Sequence, residues 1–233
     1  MQQNYKGILL NIKVYKDNDL IIRFLSDTDE IITGIVYGGL SKKKRNIYQI
    51  GFYLNFNFIK KNNKPASINA ELTEPFISEI IHDRYKLLCL ICVTSLINLS
   101  IIEGQKVKNI YIILDQFLKY MFFNKIWFKD FCYFLFQLLK TIGYEIDYMN
   151  NKGKKYFDLE KLQFQNNYSS NSIIFPHYFL DKKNIKLEIL DINHVFKIFE
   201  TVFSKYHLSS FNLRLPNQYH LFKKLIIDKL NQK

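Results

Sequence analysis

Gly51-Phe52-Tyr53-Leu54-Asn55-Phe56-Asn57-Phe58-Ile59 decides how the first third of this chain is read. Phe52, Leu54, Phe56 and Phe58 alternate with Tyr53, Asn55 and Asn57. A period of two belongs to a β-strand, whose successive side chains point to opposite faces. The stretch therefore predicts a strand with an apolar face on a core and a wet face that carries Tyr53. Upstream, residues 7–14 form a β-rich run that ends at the turn cluster Lys16-Asp17-Asn18-Asp19. Residues 20–25 form a second run, closed by Ser26-Asp27-Thr28-Asp29. Residues 30–37 form a third, broken by Gly38-Gly39. Downstream, Lys61-Asn62-Asn63-Lys64-Pro65 makes a tight connection to a fifth strand at residues 66–72, ending at Glu74-Pro75.

Five short strands with a longer connection after the third are the pattern of an OB-fold β-barrel, although an SH3-like barrel scans similarly. A closed barrel lets so few residues make a core without an exposed sheet edge. From Phe76 the apolar period lengthens. Ile80, Ile81, Leu87, Leu88 and Ile91 fall at helical spacing within residues 77–102. Residues 110–123 predict a second helix. Residues 127–142 predict a third, stopped by Gly143. Val195, Phe196, Phe199, Val202 and Phe203 mark a fourth, with Asp191 or Asn193 as its cap, and Pro216 opens a last one reaching Leu230. The expected class is α+β, with an OB-fold domain at 1–76 and a mainly helical domain at 77–233. An irregular, partly β insert is expected near 149–187.

The formal net charge of +12 suits an anionic partner, nucleic acid or an acidic lipid surface. The abundance of Lys, Asn, Ile, Phe and Tyr beside only 8 Gly and 4 Pro is also the bias of AT-rich coding, which supplies part of that charge irrespective of function. Hydrophobic residues at 48% suffice for a real core. Cys89, Cys92 and Cys132 sit in apolar runs, read as core thiols in a reducing cytosol rather than as a disulfide framework or half a metal site. The start has no signal-peptide pattern. The longest apolar run, 87–102, is short for a bilayer and contains Thr94, Ser95, Asn98 and Ser100. A cytoplasmic, nucleoid-associated protein with no membrane partner is expected.

The sharpest local feature is Ser41-Lys42-Lys43-Lys44-Arg45-Asn46, between the third and fourth strands. Four adjacent cations at a barrel rim can neutralise phosphates and release counterions; a solvated loop in a Lys-rich chain would look the same. Tyr37, Tyr48 and Tyr53 flank the run, and single-strand binders pair basic grooves with rings on which bases stack. Arg23, Lys60 and Lys61 are further candidates on the barrel surface. No phosphate-binding loop, dinucleotide turn or nucleophile elbow occurs, and the five histidines have no ligand spacing. No enzyme is expected.

In order along the chain, these segments resemble the RecO family. Gly7-Ile8-Leu9-Leu10 followed by Tyr15-Lys16-Asp17-Asn18-Asp19-Leu20-Ile21 is similar to its opening strand and polar turn. The stretch Gly38-Gly39-Leu40-Ser41-Lys42-Lys43-Lys44-Arg45, with Gln49 and Gly51, resembles its basic segment, Ile50 standing where Pro is common. Ala70-Glu71-Leu72 and Glu74-Pro75-Phe76 resemble the end of its barrel. Leu138-Leu139-Lys140-Thr141-Ile142-Gly143-Tyr144-Glu145-Ile146-Asp147 is similar to its Leu-Leu-…-Gly-Tyr segment, and Leu213-Arg214-Leu215-Pro216 to a late element. The resemblance implies an N-terminal OB-fold and a helical C-terminal domain. It implies a recombination mediator in DNA repair that binds single- and double-stranded DNA, anneals strands and helps load RecA on coated single strands. RecR and the C-terminal tail of the single-strand-binding protein are the implied partners, with RecA an indirect one. Many relatives carry a zinc-binding Cys cluster after the Gly-Tyr segment. This chain has no Cys beyond Cys132, so no zinc and no other cofactor is expected.

Two other readings stand beside this one. The first is an OB-fold RNA- or tRNA-binding module. The second is a membrane-surface or scaffold protein whose charge is compositional.

Overall fold

The computed structural model describes residues 2–60, 65–180 and 188–232. The chain is mixed α+β and forms two compact units, Met1–Phe123 with Pro216–Lys223 and Asn124–Leu215 with Lys224–Lys233.

The first unit is built on five strands: β1 (Gln2–Tyr15), β2 (Asp19–Ser26), β3 (Ile31–Val36), β4 (Tyr53–Ile59) and β5 (Ser67–Glu74). They pair in the order β1-β2-β3-β5-β4, and β4 returns to β1 to close a barrel. All pairings are antiparallel except β3 with β5, which meet in parallel through the single pair Ile35↔Ser67. The alternation read in residues 51–59 puts Leu54 and Phe56 in the core and Asn55 in solvent. Leu9, Leu20, Ile22, Phe24, Val36 and Ile68 complete that core, and the Phe24 and Phe56 rings stack at 3.7 Å between centroids. Offset aromatic pairs of this kind add to the gain from burial alone.

The strands end at Glu74, close to the expected domain boundary, but the compact unit does not. A 3₁₀ turn (Phe76–Ile80) leads to α1 (Arg84–Ser100) and α2 (Ile110–Phe123). Asp83 caps α1 by accepting from the Tyr85 and Lys86 backbone N–H groups at 2.9 and 3.1 Å. Asp29, in the β2–β3 turn, does the same for α2, accepting from Asn109 and Tyr111 N–H at 2.9 and 3.0 Å. A carboxylate there also complements the helix dipole. Gly51 sits at φ +84°, and a Cβ on it would come within 2.7 Å of Leu90 on α1. The division expected after residue 76 is therefore corrected. A turn of the barrel caps α2, α1 lies against the barrel at Gly51, and both helices belong to the barrel's unit.

The second unit contains α3 (Phe128–Thr141), stopped as expected before Gly143 at φ +98°, and α4 (Ile189–Val202). Their buried faces meet through Phe128, Phe131 and Phe196. α4 starts one turn before the expected cap: Glu188 stands at the N-cap and Asp191 lies in the first turn. The insert folds as the small antiparallel sheet β6 (Tyr156–Asp158), β7 (Gln163–Gln165) and β8 (Ser172–Ile174), with β6 central; residues 181–187 of the expected insert lie outside the described residues. α5 (Asn217–Asn231) follows Pro216.

Cys89, Cys92 and Cys132 are fully buried, and burial pushes the Cys92 thiol well above its usual range. Thiols held neutral in this way are inert. No helix of the described residues is long and apolar enough to cross a membrane.

Candidate nucleic-acid interface

The basic run is pinned to the barrel at both ends. Where the chain leaves β3, Gly38 takes φ +63° and its N–H donates to the Asp19 carboxylate at 2.8 Å, while Leu40 N–H donates to Asn18 O at 3.1 Å. These two bonds tie the run to the β1–β2 turn. Consecutive turns then wind the segment on itself. Lys44 and Arg45 N–H donate to Ser41 O at 3.0 and 2.9 Å, and Ile47 N–H to Lys44 O at 2.9 Å. At the far end Tyr48 is buried in the barrel core, and its phenol oxygen accepts from Ala70 N–H on β5 at 3.1 Å.

That winding divides the four cations. Lys42, Lys43 and Arg45 are exposed. Lys44 is half-buried and donates from Nζ to Tyr37 O at 2.9 Å, so it staples the turn. Held on a folded turn, the three outward cations lose less freedom on meeting phosphates than they would on a slack loop. The exposed Lys16, in the β1–β2 turn that Gly38 and Leu40 bond to, joins the same end of the barrel. It was not among the sequence candidates. Nor was a wider signal that the sequence carries: between Glu30 and Glu71 seven Lys and Arg occur and no Asp or Glu.

The aromatic candidates separate. Tyr37 is 51% exposed beside the run and can present its ring to a base. Tyr53 is 5% exposed, which corrects the expectation that it lies on a wet face. Phe76 meets its ring edge-on at 5.3 Å, and the Lys119 ammonium lies 5.8 Å from the ring centroid, so the 3₁₀ turn and α2 cover this part of β4. Tyr53 and Tyr48 are therefore barrel-packing residues. Arg23 is a half-buried residue on β2, flanked on neighbouring strands by Asn11 and Thr33. Burial lowers its pKa, and Glu103 works in the opposite direction. It lies four residues along β2 from Asp19 and is not part of the turn. Lys60 is exposed at the end of β4, and Lys61 lies outside the described residues. Ala66, just ahead of β5, lies beside the end of β3, its carbonyl oxygen accepting from Ile35 N–H at 2.8 Å.

The cluster that buries Tyr53 has a consequence for alkaline stability. Tyr111 on α2 is pushed up to about 12, first by burial and then by the charges of Asp115, Asp27 and Glu74. The folded state thus holds this proton more tightly than the unfolded chain, whose tyrosines titrate near ~10. Its contribution is complete below pH ~10 and is lost as pH rises through about 12. Urea midpoints measured from pH 9 to 11.5 should fall, and should fall less steeply in Tyr111→Phe.

A groove of about 770 Å³ lies on the same unit, bounded by β1, β4, β5 and the 44–48 segment. Among the described residues, no group of three or more His, Cys, Asp or Glu is placed to hold a metal. Compared with known proteins, the sequence matches no family model and no curated relative.

Proposed function

We propose that this protein is a DNA-binding mediator of recombinational repair, which works by binding and annealing strands rather than by catalysis. The observation that carries the reading is the turn of Lys42, Lys43 and Arg45, held outward at the barrel rim with Tyr37 exposed beside it. Phosphates supply sequence-independent affinity to such a surface, and an exposed ring accepts any base.

The strand order β1-β2-β3-β5-β4 with closure onto β1 supports taking the barrel as an OB-fold, a scaffold that commonly binds oligonucleotides. The resemblance to the RecO family extends the proposal to single- and double-stranded DNA, to RecR, to the single-strand-binding protein's tail and, indirectly, to RecA. On this reading the protein needs no zinc.

Anisotropy titrations of the full chain against a single-stranded DNA, its duplex, a structured RNA of equal length and an anionic phospholipid vesicle test the proposal. Tight, salt-sensitive binding of single strands together with faster annealing of complementary strands is the expected result. Equal affinity for the RNA without annealing would instead make the protein an RNA-binding module. Vesicle binding without DNA binding would make the charge a membrane-surface device.

A further inference from the structure

The small sheet of the second unit carries a basic and aromatic surface of its own. From Tyr148 to Phe157 the chain has Lys152, Lys154 and Lys155 and no Asp or Glu. All three lysines are exposed, and the turn that bears them is held on both sides. Ahead of it, Asn151 Nδ2 donates to Asp147 O at 2.8 Å, and Lys154 N–H donates to Asn151 O at 3.0 Å. Where the turn enters β6, its carbonyls are taken up by the segment after β8. The His177 ring N–H donates to Lys154 O at 2.9 Å, and Phe175 N–H donates to Lys155 O at 3.0 Å. The cations thus stand on a fixed backbone, and meeting phosphates costs them side-chain freedom alone.

An exposed ring lies beside them. Successive residues of β6 face opposite sides of the sheet. Phe157 is buried against Phe164 and Phe175. On the other side the Lys155 ammonium lies 5.6 Å from the Tyr156 ring centroid, and Tyr168 packs against Tyr156 at 5.8 Å with the rings 72° apart. Tyr168 is left 71% exposed. Its loop is pinned at the next residue. Ser169 N–H donates to Ser172 Oγ at 2.9 Å, and Ser169 Oγ donates to the Asp158 carboxylate at 3.3 Å while accepting from Gln165 Nε2 at 2.9 Å. The same carboxylate accepts from Glu160 and Lys161 N–H at 2.9 and 2.8 Å and is 4% exposed, so Asp158 is engaged within the fold and hidden from a ligand. Coding bias scatters lysines along a chain, but it does not tie three of them to a rigid turn next to an uncovered ring. Cations beside a free aromatic face complement a single-stranded nucleic acid, which offers phosphates to the one and a base to the other.

We propose that this surface binds a second single strand of nucleic acid, with Lys152, Lys154 and Lys155 on its phosphates and Tyr168 stacked on one base. The proposal rests on the nucleic-acid-binding reading and deepens it. The cations of the barrel unit hold one strand and the small sheet holds another, so that one molecule carries both strands that annealing joins.

The test is titration calorimetry of the full-length protein with decathymidine. Wild type should bind two molecules, and Lys152/Lys154/Lys155→Ala combined with Tyr168→Ala should bind one, with the remaining affinity unchanged and strand annealing at least about tenfold slower. Tyr168→Ala alone should weaken the second site about tenfold, the loss of one base stack. In wild type, so that no variant need fold, decathymidine carrying one 5-iodouracil should photo-crosslink to the peptide that contains Tyr168. If wild type binds decathymidine with a steep salt slope but only once, and no cross-link reaches Tyr168, the second site is overturned and the barrel-rim site stands. A quadruple variant that still binds two molecules overturns it as well. So does an effect of the three lysines on binding to phosphatidylglycerol vesicles and not on binding to decathymidine. If decathymidine does not bind at all, the second site and the functional reading fail together.

Discussion

Full-length protein in which Lys42, Lys43 and Arg45 are all replaced by Ala is expected to bind single-stranded DNA about 100-fold more weakly at low salt, with its melting temperature nearly unchanged. Each exposed cation on a phosphate is worth about 1 kcal/mol, the upper end for solvent-exposed ion pairs. Three such contacts amount to about 3 kcal/mol, or roughly a factor of 100. All three side chains are exposed, so their removal leaves no cavity in the barrel. Lys44→Ala alone should behave differently. Its ammonium is bonded to Tyr37 O, so its loss should loosen the turn more than it subtracts a phosphate contact. Anisotropy in 50 mM salt, with a thermal melt of each variant, separates the two effects.

Phe56→Ala is expected to have the largest effect on stability, about 3–5 kcal/mol. The side chain is 1% exposed and stacks on Phe24 at 3.7 Å within the barrel core. Its removal leaves a void in a small barrel whose β3–β5 closure rests on one residue pair. Neighbouring strands cannot collapse into that void without breaking their register. Urea unfolding measures the loss directly, and DNA affinity should fall with it. A cost below 1 kcal/mol would mean that the barrel core is not organised around this ring pair.

Residues 51–59 made the barrel legible because apolar and polar-face positions alternate from Phe52 to Phe58, three of the four apolar ones being Phe. The helices were legible for the same reason at a different period. α2 runs from Ile110 to Phe123, and α3 stops where Gly143 supplies a positive φ. Tyr53 was misread because alternation reports which face of a strand a residue occupies, not what else covers that face. Here Phe76 and Lys119, from elements much later in the chain, pack over it. The domain boundary was displaced by the same kind of long-range contact, the Asp29 carboxylate on the start of α2 eighty residues downstream. In the candidate site the cluster of four cations was plain, but its division into three outward side chains and one staple depends on hydrogen bonds to Ser41 and Tyr37 that no local pattern announces. The groove was invisible for a related reason: β1, β4 and β5, which bound it, come together only once three strands are in register.

The most direct test of the barrel rim as a phosphate-binding surface is the slope of log K for single-stranded DNA against log salt, in wild type and in Lys42/Lys43/Arg45→Ala. Each neutralised phosphate of a single strand contributes about 0.7 to that slope, so three lost contacts should make it shallower by about two. A variant slope equal to wild type would contradict the account and place the DNA contacts elsewhere in the chain.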